Sequence, residues 1–338
     1  MRLSLAATLL LPLSFACRPT VKIDYMYPAE YTLPADFKTV AVVNRVSTPE
    51  SGAAIDGLRT ALMSSPTLKV ANPSAVNQAM AGVKLPVGAA LDRAGAEQIC
   101  KGSGATGIVT LERYNFGGDW SMEETTDTYT ETVTEKPADC KDCPGVSKEV
   151  THEVPAVIAR YNAMTSTSWA VTSCQGLPLS GKEVATGGQL EGRGEKPVEA
   201  KADAGDPSEL EDEMGHAAGS AFSVHISPRQ VSASRAYFKG GSSEIRAGAK
   251  AAKAGKWQVA EKSWMSALKS DKDKVRGKAQ LNLAVAAEHE GDLGAALKHA
   301  RKANRLLDGK KGTAEYVTTL AERQGLQQKV DSQVGSGN

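Results

Sequence analysis

EIRAGAKAAKAGKWQVAEKSWMSALKSD, residues 244–271, is the stretch on which the architecture turns. Small and apolar residues recur in it three and four apart, the spacing of one helix face. Gly255 breaks the run in the middle, so two short helices folded back on each other are expected. Gly248 and Ala260 lack the bulk to hold those helices apart, while Trp257 and Trp264 are large enough to fill the space between them. The stretch QLNLAVAAEHEGDLGAALKHARKANRLLD, residues 280–308, repeats the arrangement after 36 residues, with Gly291 answering Gly255.

The first copy resembles a tetratricopeptide repeat. Gly248, Gly255, Trp257, Ala260, Trp264 and Ala267 stand where that family places small, Gly, aromatic, Ala, aromatic and Ala residues. In the second copy Leu283, Ala284, Gly291, Leu293, Ala296, Ala300 and Ala303 take the equivalent places. It departs from the family by having Leu293 and Ala300 where aromatics are commoner. Lys272 and Asp308 replace the closing prolines, and the period is longer than the family's usual value of about 34. TAEYVTTLAERQGLQQKV, residues 313–330, supplies a last helix that can cap the array. The resemblance implies a surface that takes a protein or peptide partner, for which Lys250, Lys253, Arg301 and Arg305 are the candidate basic positions. The other reading is a helical cap with a purely structural role.

Working outward, the residues before Gly240 follow a different rule. Val40, Ala41, Val42 and Val43 form a continuous apolar run, the mark of a strand buried on both faces. Ile55, Leu58 and Leu62 then recur at helical spacing. LKVANP reads as a second strand, a helix follows with Leu91, Ala94 and Ile99 inward, and Ile108, Val109 and Leu111 mark a third strand. Threonine and acidic residues alternate in MEETTDTYTETVTE, residues 122–135, and residues 150–174 are rich in Val, Thr and aromatics. Both read as antiparallel strands with one wet face. Residues 176–206 read as a strand end or loop, a helix starts at Asp206-Pro207, and VSASRAYF closes this part as a short strand.

The expected fold class is therefore α+β. A mixed α/β sheet domain with antiparallel hairpins, residues 36–240, precedes an all-α tetratricopeptide-like module, residues 241–330, and a disordered tail, residues 331–338.

The chain opens MRLSLAATLLLPLSFACRPT. Arg2 followed by an apolar stretch of about 14 residues is too short for a membrane span, which needs about 20. It suits a signal peptide, residues 1–16. Ser14-Phe15-Ala16 before Cys17 resembles a bacterial lipobox, whose cysteine is acylated, although Leu13 is displaced from the place of the usual leucine. Residues 17–35 would then be the lipidated terminus and a tether, with Arg18 favouring the outer membrane. The alternative is a secreted or periplasmic soluble protein. A second likeness supports the envelope. Pro28-Ala29-Glu30, Leu33-Pro34 and Val40 to Arg45, with Trp169 and Ile226 to Pro228 further on, resemble an uncharacterised family of bacterial envelope lipoproteins known mainly from the Bacteroidetes. Strand order is also similar to envelope assembly proteins of the curli-secretion type, a likeness of fold alone. Neither carries catalytic residues over.

Charge and chemistry narrow the function. The net charge of +1 argues against a nucleic-acid protein. It conceals an asymmetry, with net −12 over residues 118–215 and net +9 over residues 239–330. Aside from Cys17, four cysteines remain: Cys140 and Cys143 can bridge within their loop, while spacing alone does not support Cys100 with Cys174. A zinc site would need a second pair. Gly102, Gly104 and Gly107 have dinucleotide-loop spacing, but in the order helix, glycines, strand, so a turn is expected and no cofactor. No nucleophile motif accompanies the five histidines. The expectation is a non-catalytic scaffold or assembly factor of the cell envelope. The rivals are an enzyme of envelope polymers acting near the acidic hairpins and a self-associating structural subunit.

Overall fold

The stretch expected to be a tether contains the first strand, β1 (Thr20–Tyr27), in the computed structural model, which describes residues 18–46, 48–83, 91–135, 146–310 and 312–335. TVKIDYMY alternates polar and apolar side chains, and it finds its partner some 200 residues away in sequence. It pairs antiparallel with β7 (Arg229–Ala236), from Thr20 opposite Ala236 to Tyr27 opposite Arg229. The chain accordingly divides into two compact units, one spanning Ala29–Ser227 and one joining the residues up to Pro28 with those from Pro228 onward. The strand expected to close the α/β part thus belongs with the helices. Cys17, Cys140, Cys143 and the signal peptide lie outside the described residues.

The Ala29–Ser227 unit is a five-stranded sheet in the order β3-β2-β4-β5-β6. β2 (Thr39–Asn44) runs parallel to β3 (Lys69–Val70) and β4 (Gly107–Glu135), while β5 (Val146–Ser173) and β6 (Pro178–Gly194) continue it antiparallel. Val40 and Val42 face α1 (Ser51–Met63) and α5 (Pro207–Ile226), with Leu58, Trp169 and Phe222 in the same core. Ala41 and Val43 face the opposite layer, α2 (Pro73–Met80) and α3 (Arg93–Ser103), beside Ile99 and Ile108. That explains why the run lacks alternation. Ala94 is exposed, and Ala96 takes the inward place expected for it. Gly57 and Gly219 let α1 and α5 touch backbone to backbone, since a Cβ on Gly219 would fall 1.9 Å from the Ala54 carbonyl oxygen. A disulfide joins Cys100 on α3 to Cys174 just beyond β5. Residues 178–204, expected as a strand end or loop, are β6 and α4 (Pro197–Ala204), whose Ala200 packs on Val157 and Ala159.

β4 and β5 stay paired as far as Glu135 opposite Val146, whereas β6 ends at Gly194 opposite Val157. From Thr125 opposite Ala156 outward the pair is a two-stranded ribbon.

In the other unit α6 (Ser243–Lys253), α7 (Trp257–Ala267), α8 (Asp273–His289), α9 (Leu293–Leu306) and α10 (Thr313–Gly335) pack successively on one another. α10 continues to Gly335, into the stretch expected to be a disordered tail. Gly255 at φ +72° and Gly291 at φ +87° make the tight connections after α6 and α8. α8 is the central helix, buried without interruption from Ala279 to Glu288.

Candidate functional site

Trp264 and Gly248 build the first helix pair. Trp264 is fully buried, and a Cβ on Gly248 would lie 2.3 Å from its indole nitrogen, so only glycine lets the ring in. Ala260, Ala267, Leu283, Ala296 and Ala303 are buried as well. Trp257 is different. It was expected between the helices, but it is half-buried at their edge, its ring stacked 4.4 Å from that of His289. It packs there against the cluster that holds Trp264, the two rings 6.4 Å apart.

At this edge opens a cavity of about 1020 Å³ within the helical unit. Tyr237 and Trp257 supply its aromatic lining. Its cations are Arg18 and Lys22 from the first strand and its lead-in, Lys239 from the link after β7, and Arg246, Lys250 and Lys253 from α6. Among the described residues no carboxylate lines it. Helical periodicity places Arg246, Lys250 and Lys253 on one side of α6, opposite buried Ile245, Gly248 and Ala252. Arg18 is held with its guanidinium 4.3 Å over the Phe238 ring, and partial burial lowers its pKa from the ordinary arginine range. Lys22 has Asp24 at 3.6 Å, and the Glu244 carboxyl is held below its usual range first by hydrogen bonds at the helix start, with the charge of Arg246 a lesser cause. Six cations around one hollow make it a place for anionic groups.

The four basic positions singled out in sequence do not form one patch. Lys250 and Lys253 line the groove; Arg301 and Arg305 lie exposed on α9 with Lys298, in a row of i, i+3 and i+7 spacing outside it.

A buried ionic cluster, missed in the sequence, lies within the same helical unit. Glu288 on α8 is almost inaccessible. It accepts from Arg235 Nε on β7 at 3.0 Å, from the Tyr316 hydroxyl at 2.6 Å, and from Arg323 on α10. Burial, then the charge of Glu288, raises the Tyr316 pKa so that the phenol stays neutral. Asn282, one turn and a half earlier, donates to the Phe238 carbonyl at 2.8 Å and accepts from its N–H at 2.7 Å. These residues bind the strand pair to the helices. A glutamate inside a repeat helix reads in sequence as a surface residue, because its arginines come from distant segments.

The Ala29–Ser227 unit brings together Ser180, His225 and Glu30. Ser180 Oγ lies 2.7 Å from His225 Nε2, and His225 Nδ1 lies 3.1 Å from Glu30. The distances match a nucleophile, base and orienting acid. The setting does not: Ser180 stands within a strand and not on a sharp turn, and Lys182 also engages Glu30. These groups tie residue 30 and the end of α5 to β6. Among the described residues no cluster of three or more His, Cys, Asp or Glu is arranged to hold a metal ion, and no helix is long and apolar enough to cross a membrane.

A family model described as a domain of unknown function (DUF6340) matches residues 246–322, from the first helix of the helical unit into its last. No curated protein and no solved structure matches the chain.

Proposed function

We propose that the protein is a lipid-anchored scaffold of the bacterial cell envelope, acylated at Cys17, facing the periplasm from the outer membrane, and acting without catalysis. Its helices serve as a tetratricopeptide-like module that docks a protein partner. The observation that carries the docking reading is the row Lys298, Arg301 and Arg305 on α9. All three are exposed, none forms an ion pair among the described residues, and the helix beneath them is fixed by buried Ala296, Ala300 and Ala303. A fixed, unneutralised basic ridge fits an acidic segment of a partner protein. A photo-crosslinking residue placed at Arg301 in cells should yield a defined protein adduct from the envelope. Arg301→Glu with Arg305→Glu should abolish that partner's capture while leaving the circular dichroism unchanged. Undiminished capture by this variant would remove α9 as the docking face.

A self-associating subunit is the second reading. It is favoured by the ribbon beyond Thr125, where neither strand has a further neighbour along its outer edge among the described residues. Sedimentation across a concentration series separates it from the first.

A further inference from the structure

We infer that the groove lined by Arg18, Lys22, Lys239, Arg246, Lys250 and Lys253 binds the headgroups of anionic phospholipids and seats the helical unit on the membrane beside its anchor. The inference rests on the lipid-anchor reading above and adds to it a site and a ligand class. The argument begins with chain geometry. Consecutive Cα atoms are about 3.8 Å apart, so an acylated Cys17 holds Arg18 at headgroup level. No tether intervenes. Arg18 stacks over Phe238, the carbonyl of Pro19 accepts from Tyr237 N–H at 3.0 Å, and Thr20 already belongs to β1. Whatever fixes residue 17 to a bilayer therefore brings the groove to the same surface.

The chemistry of the groove suits that position. Phosphodiester oxygens are acceptors only, and among the described residues the lining offers six cations, with Asp24, 3.6 Å from Lys22, standing outside it. Trp257, half-buried at the edge of the groove, combines an apolar ring with a polar tip, the character favoured where water meets lipid. Each lysine or arginine near an anionic surface adds to its attraction. Acyl chains and a basic patch together make the two-signal anchor that gives lasting attachment. Arg301 and Arg305 line no part of this groove, so they stay available for a protein partner.

Vesicle flotation tests this with the chain made without lipid as Cys17→Ser. It should float with vesicles of mixed phosphatidylcholine and phosphatidylglycerol at low salt, fall away as salt rises, and ignore phosphatidylcholine alone. Lys250→Glu with Lys253→Glu should reduce flotation by about ten-fold or more. Lys250→Gln with Lys253→Gln, gentler on the helix, should reduce it less, and Arg301→Glu with Arg305→Glu should leave it unchanged. Equal binding to both vesicle types, or full binding by the Lys250/Lys253 variants, would overturn the inference. So would a groove that binds polyglutamate and not vesicles, which would make it a protein site. Palmitate labelling of the natural chain tests the anchor separately: an unlabelled Cys17 removes that reading while the vesicle result stands on its own.

Discussion

Glu288 shows how much a single side chain can decide. Its carboxylate has no contact with water, and two arginines from different segments end on it. Removing one member of such a group leaves the others buried and uncompensated, at a cost of about 3–5 kcal/mol. Glu288→Ala should lower the stability of the helical unit by that amount in urea titrations followed by circular dichroism, whereas loss of an exposed carboxylate such as Glu315 should be nearly silent. His299 gives a second test, through pH. Burial, then Lys302 and Lys298, lowers its pKa below the ordinary 6.5, against a weaker opposing effect of Asp292; its Nδ1 lies 2.6 Å from Gln280. The unfolded chain therefore takes up a proton more readily than the folded one. The stability His299 contributes is complete above about pH 6.5 and is lost as pH falls below it towards the depressed folded value. His299→Gln should flatten the dependence of the urea midpoint between pH 7 and 5. An unchanged slope would place its origin in other groups.

At the scale of elements, the disulfide between α3 and the end of β5 closes a loop across 74 residues of sequence. Such a crosslink narrows the unfolded ensemble, and its loss typically costs about 2–5 kcal/mol. Cys100→Ser with Cys174→Ser should shift the unfolding midpoint of the Ala29–Ser227 unit by that much, and dithiothreitol should shift the natural chain equally. No effect would mean that the two sulfurs are already reduced in the native protein. This bond was open in the sequence, because spacing cannot say which helix a strand end will meet. Other elements were legible for physical reasons. The Val40–Val43 run signals burial on two faces, and the period that puts Ile245, Gly248 and Ala252 inward leaves Lys250 and Lys253 outward. The groove was half visible in this way. Three of its other cations were not, since Arg18, Lys22 and Lys239 reach it only through the pairing of β1 with β7. The length of the β4–β5 ribbon was hidden too, because alternating threonines and acids mark a wet strand without saying where its neighbour stops.

For the whole molecule, the consequence lies in where the chain's beginning goes. Residues up to Pro28 belong to the helical unit, so an anchor at Cys17 would attach to the helices directly. The same strand is a working part of that unit. β1 pairs with β7 along eight residues, Tyr25 lies under Arg323 at 3.9 Å, and buried Ile23 contributes to the interior. A chain beginning at Ala29 would strip the ladder from β7 and uncover the arginine that completes the Glu288 cluster. Each backbone hydrogen bond lost is worth about 0.5–1.5 kcal/mol, so the damage sums to several. Hydrogen–deuterium exchange reads this locally. Peptides from α8 should lose most of their protection in the truncated chain, with peptides from β2 as the reference within the same molecule. The full-length chain carrying Tyr25→Ala should show a smaller loss confined to α10 and the end of α8, because the ladder survives and only the cover over Arg323 is gone. If α8 kept its full protection without β1, the helices would stand by themselves. The first strand would then be a lead-in from the anchor, and the groove would lose the fixed position that Arg18 and Lys22 give it.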